Sequence, residues 1–253
     1  FSQAHDIDYQ SDKKFGFYDA TFKYAQKIGN KDQIVLDLIT IQDNLEVFQS
    51  ATVYDINTSE NNVLRQQNYG GNLSWKRNWN NFNTTKINLY NSSYELLANQ
   101  KTTYENQVVI QENTVNNNGI NLENNHIINS KFSISDGYQF NEIGITNLEK
   151  VINPDFYRKV KDVLKTHALI LEGKYNDTIS RIYLKAGMRI NYLEKFKKYI
   201  AEPRIQLGYG ISKSVNLELL GELKSQNSQQ IIDLQKDYFG IEKRRWIISN
   251  NTT

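Results

Sequence analysis

Six charged side chains fall where strand alternation would gather them into one polar wall. In "RIYLKAGMRINY", Arg181, Lys185 and Arg189 share the odd positions with Asn191, while Ile182, Leu184, Ala186, Met188, Ile190 and Tyr192 hold the even ones. Further on, Arg204 alternates with Ile205, Leu207, Tyr209 and Ile211, and Glu218 and Glu222 alternate with Val215, Leu217, Leu219 and Leu223. Residues two apart in a strand face the same way, so the chemistry on offer is that of a hydrated, ion-paired lining. Catalytic groupings are missing. There are three histidines, His5, His126 and His167, none in an H-E-x-x-H pattern, and cysteine is absent. No G-x-S-x-G elbow, P-loop or G-x-G-x-x-G occurs. The expectation is a non-enzyme without cofactor or metal.

Such a wall needs long strands to carry it. Period-2 runs bounded by turn residues give about ten, in five hairpins, with short turns near 30, 80, 130, 177 and 213. Longer polar connections are expected near 49–62, 98–106, 144–165 and 225–253. Short turns on one side and long loops on the other are the signature of a transmembrane barrel, and runs of 11 or more alternating residues exceed the ordinary globular strand. Trp75 and Trp79 lie beside the turn near 80, where an interfacial aromatic girdle belongs. Within 144–165, "NPDFYRKVKDVLK" has Phe156, Val160 and Val163 or Leu164 at helical spacing and predicts a short loop helix. "EKRRW", Glu242 to Trp246, reads as a solvated basic loop.

Composition fits this picture. The 253 residues include 2 prolines and 16 tyrosines, favouring strands and interfacial rings. Mean hydropathy is −0.64, and no apolar run is long enough for a membrane-spanning helix, which excludes a helical membrane protein but not a barrel, whose lipid-facing residues only alternate. The formal charge of +2 gives no footprint for nucleic acid. Alternation alone also suits a soluble β-sandwich that binds carbohydrate; turn parity and strand length favour the barrel.

The run "FKKYIAEPRIQLGYGISKSVNLELLGELKSQNSQQI" followed by "FGIEKRRWIISNN" resembles the barrel of TonB-dependent receptors of the outer membrane, in the form common in Bacteroidota. The likeness rests on Glu202, Pro203 and Arg204 opening a strand, and on Ser225, Gln226, Gln229 and Gln230 in the loop beyond the next one. "YGGNLSWKRNWNNFNTTKINLYNSSYEL" and "ISDGYQFNEIGIT" look like earlier strands of the same barrel. The resemblance implies an all-β, antiparallel, up-and-down transmembrane barrel of 22 strands. Residues 1–253 would form part of it, without the plug domain. It further implies import of a scarce nutrient, such as a siderophore, haem, cobalamin, glycan or peptide, in the bacterial outer membrane. Expected partners are membrane lipid, the TonB–ExbB–ExbD system through the missing N-terminal part, and a surface lipoprotein or larger outer-membrane complex. The alternative is a non-transporting barrel acting in adhesion or within an outer-membrane complex.

Overall fold

The computed structural model describes residues 7–53, 56–103, 106–177, 179–212, 214–238 and 241–249; His5, Thr178, Lys213 and the closing "NNTT" lie outside them. The alternating sequence extends into strands β1 (Ile7–Ile28), β2 (Asp32–Val53), β3 (Ile56–Asn78), β4 (Asn83–Thr102), β5 (Gln107–Ile127), β6 (Phe132–Ile152), β7 (Phe156–Asp177), β8 (Ile182–Leu193), β9 (Lys198–Gly210) and β10 (Asn216–Glu222). Each pairs antiparallel with its sequence neighbour, in one ten-stranded up-and-down sheet. A separate hairpin follows, β11 (Ser228–Tyr238) with β12 (Ile241–Ile248).

The two faces of the sheet are unequal. Among the described residues, every buried residue of the ten strands except Asp177 lies on a single face, including Val47, Asn62, Leu96, Asn113, Ile145 and Leu164. Crowding on one face only is what curvature produces, so this face is concave. The opposite, convex face keeps its large apolar side chains in the open: Leu169 and Leu171 are 64% and 60% exposed, and Met188, Ile205, Leu207 and Leu219 are likewise exposed. Traced through the pairing register, the ends of the five tight-turn hairpins step by about one residue per strand. With strands about 4.8 Å apart and about 3.3 Å per residue, that step is a tilt of roughly 35°, as closing a barrel requires.

Three sequence expectations change. The segment from Phe156 is strand, paired from Val151↔Phe156 through Ile143↔Leu164, where a helix was expected. Phe156, Val160 and Leu164 are four apart, and a spacing of four keeps one face in a strand as well as in a helix; pairing with β6 decides. The long connections also shrink. Residues 49–53 and 56–62 are strand, as are most of 98–106 and 144–165, so the first seven strands run 20–23 residues. A bilayer crossing takes roughly 9–11, so about half of each strand stands clear of the apolar band, and its polar residues there carry no hydrophobic alternation to announce a strand. Residues 225–253 contain β11 and β12, and "EKRRW" is part of β12. β4 keeps unbroken register with both neighbours where its apolar residues change face near Tyr90. Its convex face turns polar beyond Leu89, at Asn91, Ser93 and Glu95.

The tight-turn end is tied by charge. Lys131 Nζ donates to Asp177 Oδ2 at 2.9 Å across neighbouring turns. Hydrogen bonds from Lys131 and the Ser180 hydroxyl hold the Asp177 carboxyl well below the usual carboxylate range, and Asp177 in turn raises Lys131.

Candidate functional site: the concave polar wall

Lys185, Arg189, Arg204, Glu218 and Glu222 occupy the concave face of β8, β9 and β10, while Arg181 sits in the turn before β8 with φ 56°. Their partners include acids not singled out from the sequence. Glu172 of β7 takes Lys185 Nζ at 3.0 Å and Arg204 at 2.8 Å. Gly187 makes this possible. It stands between Glu172 and Arg204 in the register, and a Cβ there would lie 3.1 Å from the Glu172 side chain and 2.9 Å from the Leu171 carbonyl oxygen. Without a side chain in between, residues two strands apart can meet.

Arg189 approaches Glu202 Oε2 at 3.5 Å and donates to Gln139 Oε1 and Asn191 Oδ1, each at 2.7 Å. Glu202 also accepts from the Ser225 amide and hydroxyl. Gln206 donates to Glu218, Glu222 pairs with Lys224, and Lys23 with Asp37 far along the sheet. Lys185, Arg189, Arg204 and Glu222 are thus each held by an opposite charge, as in a hydrated, ion-paired lining. Glu172 is 12% exposed and holds two cations. Glu172→Gln is therefore expected to lower stability by about 1–2 kcal/mol, between the values for exposed and buried pairs. Urea unfolding of the full-length protein in vesicles checks it; an unchanged midpoint would show the pairs contribute nothing.

The same spacing device recurs in β5. Gly119 lies between Tyr90 and Asn141 in the register, and the Tyr90 ring crosses it so that its hydroxyl donates to Asn141 Oδ1 at 3.2 Å and accepts from Gln139 Nε2 at 2.9 Å. Gln139 joins this tyrosine to Arg189, linking the walls of β4 and β8.

Trp75 lies on the convex face beside Ile34 and Ile87, its indole N–H donating to Asp32 Oδ1 at 3.0 Å. Trp79, just beyond β3, donates to Thr85 Oγ1 at 2.9 Å, with the Arg77 guanidinium 4.6 Å from its ring centre. From there a polar belt runs along the convex face. Thr85 donates to Asn124 and Asn124 to Asp136, while His126 bridges Asp136 at 3.1 Å and Asn83 at 2.8 Å. This belt accounts for Asp136 sharing a face with Ile134 and Tyr138: its carboxylate is satisfied by neighbours on β5. His167 is held between the Tyr138 hydroxyl, at 2.7 Å, and Glu194, at 2.8 Å.

The β11–β12 hairpin lies against the concave side. The Asn147 amide donates to the Trp246 carbonyl oxygen at 2.8 Å and accepts from the Trp246 amide at 3.0 Å, as a strand partner would. The Tyr94 and Trp246 rings meet edge to face at 5.9 Å and 65°. Ile248 packs on the buried cluster of Leu164, Leu193 and Ile200. Between β12 and β5–β7 a cavity of about 350 Å³ remains. The sequence does not announce this contact, because Asn147 and Trp246 are 99 residues apart and "EKRRW" reads as a solvated loop.

The fold has a solved counterpart. The sheet superposes on the ferric citrate transporter FecA, in its unliganded form, with a TM-score of 0.54 at 8% sequence identity, covering 89% of this chain and 43% of that one. The chain thus spans less than half the length of that transporter. No family model and no curated protein matches the sequence. At so low an identity the likeness concerns architecture: a two-faced, up-and-down sheet with the geometry of an outer-membrane barrel wall.

Proposed function

We propose that the chain is a stretch of the wall of an outer-membrane TonB-dependent transporter, of the type found in Bacteroidota, importing a scarce nutrient into the periplasm. The observation that carries this reading is the division of the sheet: a convex face with open apolar side chains for lipid, and a concave face whose Glu172–Lys185–Arg204 and Arg189–Glu202 pairs suit a water-filled lumen. The FecA likeness supports the geometry. In this reading the remainder of a 22-stranded barrel and the plug lie elsewhere in the protein. TonB–ExbB–ExbD supply energy through the N-terminal part, and a surface lipoprotein or a larger outer-membrane complex completes the assembly. The wall is non-enzymatic, holds no cofactor, and has no part in binding nucleic acid.

The test compares deletion of the full-length gene with deletion of tonB in cells limited in turn for iron, haem, cobalamin, glycan or peptide. Both strains should fail under one shared limitation. If the receptor deletion grows normally under all of them but loses surface adhesion or an outer-membrane complex, the non-transporting reading is correct and import is not.

A further inference from the structure

We propose that the outer half of β7 takes an acidic, extended segment of a partner protein as an added strand. The inference rests on the transporter reading, which puts the end remote from the tight turns outside the bilayer, and it names the surface on which a partner sits.

The open edge is the first argument. β8 pairs with β7 only from Thr166↔Leu193 inward, while β6 pairs with it out to Val151↔Phe156. Among the described residues, the stretch from Phe156 to Lys165 therefore has a strand neighbour on one side only. Successive residues of a strand turn their backbone polar groups to opposite sides, and the last bond across to the β8 chain runs from the Glu194 N–H to the Lys165 carbonyl oxygen. By that phase Tyr157, Lys159, Lys161 and Val163 aim N–H and C=O outward. Asp162 closes one of these groups itself, its carboxylate accepting from the Val163 amide at 2.9 Å. The outward groups of Tyr157, Lys159 and Lys161 have no backbone partner among the described residues. In the transporter reading the remaining strands join at β1 and β10, the two ends of the sheet, and the β11–β12 hairpin lies on the concave face rather than along this edge.

Exposed apolar surface is the second. The His167–Glu194 and Lys165–Glu142 pairs, at 2.8 and 3.7 Å, mark the outer limit of the apolar convex face on β7. Beyond them Tyr157 and Val163 remain 63% and 48% exposed on that face, and Phe156 is exposed on the concave one. An open edge with apolar side chains on both faces is a template for association. An added strand covers both faces at once, because its own side chains alternate.

Charge selects the occupant. Glu149 stands opposite Arg158, Glu142 pairs with Lys165, and Lys195 holds Asp162. Lys159 and Lys161 face Leu148 and Thr146 across the ladder, and Lys150 faces Tyr157. Among the described residues none of these three lysines is in an ion pair. The one further acid close by in the chain is Asp155, in the turn before β7. Like charges set opposite each other across a ladder are destabilising, so this edge repels a second copy of itself. An acidic strand laid beside it sets carboxylates against Lys159 and Lys161 while its backbone completes the ladder.

The experiment uses the full-length protein in detergent. A blocked, fluorescein-labelled peptide of about ten residues, alternating Glu with Val and Thr, is titrated by fluorescence anisotropy. Beside it run the same peptide N-methylated at every second residue and its Lys-for-Glu counterpart. The acidic peptide should bind and the basic one should not. N-methylation should weaken binding by roughly tenfold or more, because it removes donors that only a strand ladder uses. Lys161→Pro should also weaken it roughly tenfold, since proline deletes an outward N–H and leaves the ladder to β6 whole. Lys161→Gln keeps that N–H and should weaken binding less, with unchanged folded mobility on gels for both variants. If the acidic peptide does not bind, the lysines merely blunt the edge and the proposal is wrong. Binding indifferent to N-methylation or to Lys161→Pro, and displaced by inorganic phosphate, would make the lysines a simple anion site such as a lipid headgroup uses, and would overturn strand addition. Ladder-dependent peptide binding without a nutrient phenotype shared by the receptor and tonB deletions would keep the edge site and overturn only import; the shared phenotype without peptide binding would do the reverse.

Discussion

Arginine in place of Met188 is expected to destabilise the folded barrel in a bilayer by roughly 2–4 kcal/mol, the depth-dependent cost of a cation on the lipid face of a barrel. Met188 is near the centre of the apolar run Ile182 to Tyr192, on the convex face, 45% exposed, with Leu171 and Pro203 as its cross-strand neighbours. Its guanidinium would have no acid partner on those two neighbours and would have to reach the interface. Leu184→Arg, four residues nearer the turn, should cost less. Leu220→Arg, on the concave face, 64% exposed and flanked on that face by Glu218 and Glu222, should cost little. The check is urea-dependent folding of the full-length protein in vesicles, scored for all three variants. Equal stability of Met188→Arg and Leu220→Arg would mean that the faces have been assigned wrongly.

A leucine at Gly119 should cost about 1–3 kcal/mol through overpacking. Even a Cβ there falls 2.3 Å from the Tyr90 ring and 2.7 Å from the Phe140 carbonyl oxygen. The ring can swing away, but it would then lose Asn141 and Gln139; the carbonyl belongs to the β5–β6 ladder and cannot yield without disturbing pairing. Gly119→Leu combined with Tyr90→Ala therefore removes the first collision and keeps the second. Thermal unfolding in detergent should show partial rescue by the second substitution. Full rescue would make the ring alone responsible, and no loss in Gly119→Leu would mean that Tyr90 does not cross the glycine.

Much of this architecture was legible because a strand buries or wets alternate residues, and "RIYLKAGMRINY" and "RIQLGYGI" state that alternation plainly. The parity of Lys185, Arg189, Arg204, Glu218 and Glu222 follows from it directly. What the sequence hid was structure built without hydrophobic contrast. The outer half of β3 is rich in Asn, Ser and Thr, and those of β6 and β7 mix charges among their apolar residues; these segments read as loops although their ladders to β2, β4 and each other are unbroken. The segment from Phe156 misled for the opposite reason, since spacings of four serve both periods. The closed charge wall was half visible: the cations were found, but Glu172 reaches Arg204 only because Gly187 stands aside, a cross-strand fact that no linear spacing encodes. The Asn147–Trp246 latch, 99 residues apart, was beyond reach for the same reason.

The central claim is that β8 separates lipid from water through alternate residues. Because the chain has no cysteine, single cysteines can be placed at each position from Ile182 to Leu193 in an otherwise cysteine-free full-length protein, spin-labelled, and reconstituted in vesicles. Collision rates with molecular oxygen and with a water-soluble nickel chelate then report lipid and water contact. Even positions from Ile182 to Tyr192 should favour oxygen and odd positions from Tyr183 to Arg189 the nickel chelate, with a period of two, while labels at the buried Asn191 and Leu193 should meet neither. Uniform water contact at every position, or alternation of the opposite phase, would contradict the account.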